Sequence, residues 1–294
     1  MDQIPLIDRE REITELESAL ASALAGSGRV ALLAGEPGIG KTRLARVFAA
    51  EAESRGVPLW WGRGWEDGSA PAFWPWNAAL RRWIDQVGFE AAIAAAGPWA
   101  AELVHVFPVL REGLPDLAVG DGSDSERARF RLFDIVSRFL AAVARKDGLV
   151  IVLDDLHWAD RSSLKLLEFV AADLQDARLL VVATYRDTEV DRDHPLAATL
   201  AHLARESVTR RLPLAGLSAE HCADWITAAG ASGDAAALGD ALHRETNGNP
   251  FFVGEIVQLL VAEEDLWTNG NARRVPHGAR DVIARRLSRL GDEC

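Results

Sequence analysis

RVALLAGEPGIGKT, running from Arg29 to Thr42, is the stretch whose reading decides the fold. Arg29 to Ala34 is an apolar run that predicts a strand buried on both faces, as in a parallel sheet. Gly26, Ser27 and Gly28 close a preceding helix predicted from Arg9 to Ala25, where Ile13, Leu16 and Leu20 share a face. After the strand, Gly35-Glu36-Pro37-Gly38-Ile39-Gly40-Lys41-Thr42 matches the pattern G-x-x-x-x-G-K-[ST] at every fixed position. Glycines at these positions let successive backbone N–H groups converge on an anion that side chains would crowd. A helix is predicted from Thr42 to Ala52, with Leu44, Val47 and Phe48 turned inward, and its positive dipole end faces the loop. Strand, loop and helix therefore predict a site for a nucleoside triphosphate such as ATP, bound with magnesium. Lys41 is expected to reach the β- and γ-phosphates, and Thr42 to offer its hydroxyl to Mg²⁺.

Such a site needs an acid at the end of a neighbouring strand. LVIVLDD, Leu149 to Asp155, supplies two. Asp154 is expected to hold the magnesium, directly or through water, and Asp155 to orient or deprotonate the attacking water. Adjacent carboxylates need not point the same way, so strand geometry must assign the roles. RLLVVATY, Arg178 to Tyr185, is a further buried strand that carries Arg186 to the same sheet edge. Arg186 is a candidate for sensing the γ-phosphate, with a salt bridge to an acid such as Asp187 as the alternative. His157 is read either as a coupling residue or as one held by a local hydrogen bond. The loop lacks the G-x-G-x-x-G arrangement, which argues against a dehydrogenase, and the acids lie far downstream of the loop, as in hydrolases that couple ATP to conformational change.

Further strands are predicted at Pro58 to Gly62 and Arg211 to Leu214. Helices are predicted at Ser125 to Arg145, with Phe130, Phe133, Val136 and Leu140 buried, and at Arg161 to Leu174 and Leu196 to Arg205. Alternating buried strands and helices imply an α/β fold with a mostly parallel central sheet covered by helices. From Ser218 onward only helical periods remain, at Ser218 to Ala229, Asp234 to Glu245, Pro250 to Glu263 and Gly278 to Leu290. The expected organisation is a nucleotide-binding domain over residues 1–216 followed by a small helical domain, with the linker near Ala215 and Gly216.

The composition is that of a folded domain, with 49% hydrophobic and 26% charged residues over 294 positions. A formal charge of −12 argues against a chain that binds nucleic acid over its whole surface. The acidic start MDQIPLIDRERE and the lack of a membrane-length apolar run predict a cytoplasmic protein without a membrane partner. Cys222 and Cys294 match no metal or redox spacing and read as ordinary residues. Trp60, Trp61, Trp65, Trp74 and Trp76 fall around WEDGSAPAFWPW, and Trp83 and Trp99 follow. Without interleaved basic residues this cluster reads as core or interface packing rather than base stacking. Pro115 to Asp124 reads as a surface loop, and Arg280, Arg285, Arg286 and Arg289 as the wet side of a packed helix.

Taken together, these motifs resemble the STAND branch of the AAA+-related P-loop ATPases, particularly the ATPase region of large LuxR-type transcriptional regulators. The similar segments are LIDRERE (Leu6 to Glu12), GRGWEDGSAPAFWPW (Gly62 to Trp76), RFRLFDIVSRFL (Arg129 to Leu140), VLDDLHWAD (Val152 to Asp160), VATYRD (Val182 to Asp187), NGNPFFVGEI (Asn247 to Ile256) and VPHGARDVIARRLSRL (Val275 to Leu290). The resemblance implies that Arg9 belongs to the segment passing the adenine, with Asp8 where the family usually has glycine. It also implies that Pro250 lies against the adenine or ribose, that Arg186 fills a sensor position, and that the helical domain is a lid over 217–274 followed by the start of a winged-helix domain over 275–294. ATP would act as a switch between an ADP-held closed state and an open state that assembles into a homo-oligomer. Any DNA contact would come from a region outside this chain.

Overall fold

A computed structural model describes residues 6–66, 70–114, 126–230 and 234–262. The described residues fall into two compact units. The first is built from Glu12–Gly35 and Lys41–Pro213, the second from the described parts of Met1–Arg11, Glu36–Gly40 and Leu214–Cys294.

In chain order the elements are α1 (Glu10–Leu24), β1 (Arg29–Ala34), α2 (Lys41–Ser54), β2 (Leu59–Arg63), α3 (Trp74–Val87), α4 (Phe89–Ala96), α5 (Ala100–Leu103), α6 (Glu126–Ala144), β3 (Leu149–Asp154), α7 (Arg161–Ala172), β4 (Leu179–Tyr185), α8 (Pro195–Leu203), β5 (Thr209–Pro213), α9 (Ala219–Ala228), α10 (Ala235–Thr246) and α11 (Pro250–Ala262). The first unit is a sheet in the order β2-β3-β4-β1-β5, and every described pairing is parallel. Each parallel pairing requires a crossover, and helices supply it after every strand. The fold is therefore α/β, a parallel central sheet flanked by helices, as the alternation of apolar runs predicts. β3 and β4 are buried along their whole length and β1 at all but its first residue, whereas β2 and β5, at the edges, alternate or open to solvent. That gradient is why the three central strands are plain in the sequence and β5 begins at Thr209, two residues before its expected start.

Two side chains depart from their expected burial. Val47 is 43% exposed. The stripe that α2 buries passes through Leu44, Ala45, Phe48, Ala49 and Ala52, and at about 100° per residue Val47 lies well around the helix from its centre. Phe130 is 65% exposed and its ring meets that of Phe169 edge-on at 5.1 Å, while α6 buries Phe133, Val136, Phe139 and Leu140. Hydrophobicity at the right spacing places a residue near the core, but the core ends one turn short of Phe130.

The tryptophan-rich stretch is largely core. Turn formers before Trp74 hide the helical period of α3, which buries Trp76, Ala79, Leu80, Trp83 and Ile84. Trp60 packs against Trp83 at 5.0 Å between ring centroids, and Trp76 donates its indole N–H to the Ser163 carbonyl at 3.1 Å. Trp65, by contrast, is exposed. Gly62 makes this packing possible, because a Cβ there would stand 1.8 Å from the carbonyl oxygen of Pro75.

The second unit has its own core of Leu217, Cys222, Trp225, Ile226, Leu238, Leu242, Val253, Ile256 and Val257. Ser218 caps α9 and Asp234 caps α10, each side chain accepting from a backbone N–H of the first turn. Cys222 is an ordinary core residue whose thiol is pushed up to about 11 by burial. Among the described residues no helix is long and apolar enough to cross a membrane. The expected loop at Pro115 to Asp124, the helix at Gly278 to Leu290 with its arginines, and the expected winged-helix start over 275–294 lie outside the described residues, as does Cys294.

Replacing Gly62 with Ala should destabilise the sheet unit by about 1–3 kcal/mol, because α3 must shift off the strand. Val47→Ala should stay within about 0.5 kcal/mol of the parent. Urea unfolding of both variants checks the contrast, and equal midpoints would contradict the packing described.

Candidate functional site

The strand register sets the site before any side chain is considered. Arg63 pairs with Asp154 across β2 and β3, Leu153 with Ala183 across β3 and β4, and Leu33 with Thr184 across β1 and β4. The carboxyl ends of these strands are therefore level, at the edge where parallel α/β sheets carry their ligands. The phosphate loop leaves from that edge at Gly35.

Asp154 is the best-held acid. Its Oδ1 accepts from the Thr42 hydroxyl at 2.8 Å and from the Thr184 hydroxyl at 2.7 Å. Burial raises the Asp154 carboxyl above the ordinary carboxylate value, the Asp155 charge adds to this, and the two hydroxyls oppose it. Asp155 faces elsewhere. Its backbone lies in the left-handed region at φ 55°, its N–H donates to the Thr184 hydroxyl oxygen at 2.9 Å, and its Oδ2 accepts from Arg63 Nε at 2.7 Å, with an Nη of the same guanidinium also 2.7 Å away. The adjacent acids thus point to different partners.

Lys41 is buried and donates to the Gly35 carbonyl at 2.8 Å. Burial, then the nearby charge of Arg186, lowers its ammonium below the ordinary value, while Asp155, Asp187 and Asp154 act the other way. Arg186 donates to Glu189 at 2.6 Å, and its guanidinium lies over the Trp158 ring, 4.6 Å from the centroid. The expected salt bridge exists, but to Glu189 rather than Asp187; the Asp187 carboxylate lies 3.8 Å from Arg211. His157 sits beneath this pair with neither ring nitrogen in a hydrogen bond, so the expected local hydrogen bond is not made. Its Nε2 is 3.5 Å from Glu189, yet burial lowers its pKa to about 4, so the ring is neutral near pH 7 and the approach is not an ion pair.

The middle of the phosphate loop, Glu36–Gly40, belongs to the second unit. There Arg9 is buried, with one nitrogen donating to the Asp8 carbonyl at 2.6 Å and another to the carbonyls of Ala215 at 2.7 Å and Ile39 at 3.3 Å. Asp8 adopts φ 56°, a conformation glycine takes freely, and its carboxylate lies 3.3 Å from His221 Nδ1. Pro250 is the first residue of α11, where its missing N–H costs nothing. Asn249 just before it donates to Glu36 Oε1 and to the Pro37 carbonyl, both at 2.9 Å.

The expected residues are thereby sorted. Gly35, Lys41, Thr42, Asp154, Asp155 and Arg186 gather in the sheet unit, and Arg9, Glu36, Pro37, Gly38, Ile39, Gly40 and Pro250 in the second. Three participants have no role in the sequence reading: Thr184, Arg63 and Asn249. A small hydroxyl residue near the end of an apolar strand is a usable signal for Thr184. Arg63 carries no signal, since only register brings it to Asp155.

A hydroxyl and a carboxylate are hard oxygen donors of the kind Mg²⁺ takes. Among the described residues no three His, Cys, Asp or Glu side chains converge on one point, so an ion at Thr42 and Asp154 would need water and phosphate oxygens to complete its shell.

The sequence profile of the AAA ATPase domain family matches residues 5–182, more than half of the chain. An uncharacterized protein of Rhizobium meliloti (strain 1021) is 27% identical over 98% of this chain, which spans only 28% of that relative's length. Among solved structures, a Walker-type ATPase of Pyrococcus abyssi superposes with a TM-score of 0.51 at 15% identity, covering 97% of this chain and 72% of that one. A signal transduction ATPase with numerous domains (STAND) from Pyrococcus horikoshii, which has a tetratricopeptide repeat sensor, gives 0.50 at 16% identity, covering 87% of this chain and 30% of that one. At such identities the likeness is one of fold.

The buried neutral imidazole has a consequence for pH. His157 has its folded pKa lowered from 6.5 to about 4, so its contribution to stability is complete above the unfolded value and is lost as pH falls through that interval. In NMR the His157 ring should not titrate above about pH 5. A midpoint near 6.5 would show that the ring is solvated.

Proposed function

Because this chain belongs to the AAA ATPase domain family, we propose that it binds and hydrolyses ATP as the regulatory switch domain of a signalling or transcription-control protein. The observation that carries the reading is the convergence of the Thr42 and Thr184 hydroxyls on Asp154, beside the loop that carries Lys41. A buried carboxylate held by two neutral donors keeps a negative charge where a cation would offset its burial. In this reading Thr42 and Asp154 hold Mg²⁺, which when bound neutralises charge on the β- and γ-phosphates. Lys41 exchanges its bond to the Gly35 carbonyl for phosphate oxygens. Asp155 orients the attacking water, and Arg186 leaves Glu189 to meet the γ-phosphate. Arg9 and Pro250 bind the nucleoside end.

In this reading the chain comprises a nucleotide-binding domain over 1–216, a helical lid over 217–274 and the start of a winged-helix domain over 275–294; the separate helical core from Leu217 to Val257 supports the lid. The switch requires that ATP and ADP favour different arrangements of the protein, since a nucleotide binding both equally would shift nothing. A homo-oligomer is the active form in this reading, and DNA is reached only through parts of a larger LuxR-type regulator outside this chain. The match to 28% of a longer relative supports a module within a larger protein. The site calls for a cytoplasmic setting, where ATP is available.

The pairing of Asp155 with Arg63 supports a second reading, a nucleotide-dependent oligomerisation scaffold with little turnover. A carboxylate oxygen already held by a guanidinium is not free to orient an attacking water.

Lys41→Ala should abolish tight ATP binding in calorimetry, and unchanged affinity would sink the site. Asp155→Asn should keep ATP bound while lowering phosphate release by about 10²-fold or more. Arg63→Met frees Asp155 and should raise basal turnover; a variant that binds ATP, changes oligomeric state and still releases no phosphate favours the scaffold. Nucleotide released by denaturing the purified protein, identified by chromatography, should be ADP if the resting state is closed.

A further inference from the structure

Asn249 is 2% exposed and uses its carboxamide on both sides. The Nδ2 group donates to Glu36 Oε1 and to the Pro37 carbonyl, both at 2.9 Å, while Oδ1 accepts from the Phe251 N–H at 3.1 Å. The side chain is thus a helix cap for α11 and, through its other end, a clamp on the phosphate loop. Phe251 N–H also approaches the Gly38 carbonyl at 3.3 Å. Nothing larger than glycine fits at 38: a Cβ would stand 2.8 Å from Asn249 Oδ1 and 2.8 Å from Phe251 Cβ, and φ is +81°. The turn that presents Asn249 is itself fixed, with Asn247 at φ 50°, Gly248 at φ 68° and the Gly248 carbonyl accepting from Leu217 N–H at 2.7 Å.

A cap alone requires only an acceptor. The two donated bonds are additional, and both end on the loop. Because the peptide group is planar and trans, a Pro37 carbonyl held on Asn249 turns the N–H of Gly38 to the opposite side. A glycine-rich loop otherwise has many conformations to lose when an anion binds, and fixing it beforehand removes that cost from binding.

We propose that Asn249 is a positioning residue for nucleotide binding: its carboxamide holds Glu36 to Gly38 in the phosphate-receiving conformation. The inference rests on the reading of Gly35 to Thr42 as a nucleotide site, and it adds a dependence of that site on the turn before α11.

The test is calorimetric titration of the full chain with MgATP, alongside thermal unfolding. Asn249→Asp keeps the capping acceptor but removes both donors and sets a carboxylate against Glu36. It should weaken MgATP by about tenfold or more with little change in unfolding temperature. Asn249→Ser, which also caps but does not reach the loop, should show a similar loss, and serves if the first variant folds poorly. In the double variant Asn249→Asp/Glu36→Gln the donor and acceptor of that pair are exchanged while the bond to the Pro37 carbonyl stays lost, so part of the affinity should return. Undiminished affinity in the single variants, with Lys41→Ala abolishing binding, overturns the positioning role while leaving the site intact. Loss without recovery in the double variant overturns the pairing with Glu36. Unchanged affinity in Lys41→Ala instead removes the nucleotide site on which the inference stands.

Discussion

The carboxylate of Asp154, buried at the end of β3, receives the hydroxyls of Thr42 and Thr184. Each partner comes from a different element: the first turn of α2 and the end of β4. A buried carboxylate left without donors would be costly enough to protonate or to draw in water. Supplying those donors requires β4 to lie between β1 and β3, which is the observed order. The same arrangement puts Thr184 within reach of the Asp155 N–H. One side chain thereby aligns both acids of the site.

Left-handed backbone occurs at acids in both units. Asp155 holds φ 55° and Asp8 φ 56°, conformations that disfavour any residue with a Cβ. Each has local compensation, the first through its N–H bond to Thr184 and the second through its carbonyl bond from Arg9 and the approach of its carboxylate to His221. Such residues persist where surrounding contacts over-determine them, and they concentrate at sites with a binding or catalytic role.

The electrostatics of the sheet unit are those of a site built around an anion. Lys41, Arg186 and Arg63 gather near the strand ends, and each is occupied by a group of the protein itself: the Gly35 carbonyl, Glu189 and Asp155. His157 avoids adding a further charge by remaining neutral under burial. Cations held by replaceable partners meet an arriving phosphate without first being ordered, and the carboxylates they release become available for other bonds.

Much of this was legible along the chain. GEPGIGKT is contiguous, so its chemistry depends on local backbone conformation that glycine spacing reports directly. β1, β3 and β4 are buried on both faces and therefore read as unbroken apolar runs. The inward faces of α2 and α6 were legible only in part, because periodicity finds a stripe but not its width, and Val47 and Phe130 fall outside it. Arg63 and Thr184 reach the acids of the sheet unit through strand register, and in the second unit Asn249 reaches Glu36 through the turn before α11; no spacing encodes which distant side chain a level strand end will face. The sequence by itself determined the phosphate loop, the acids and the α/β alternation, since these follow from local geometry and burial. Only the tertiary structure decided which acid meets which partner, because hydrogen bonds over 2.7 to 2.9 Å depend on how separate strands align.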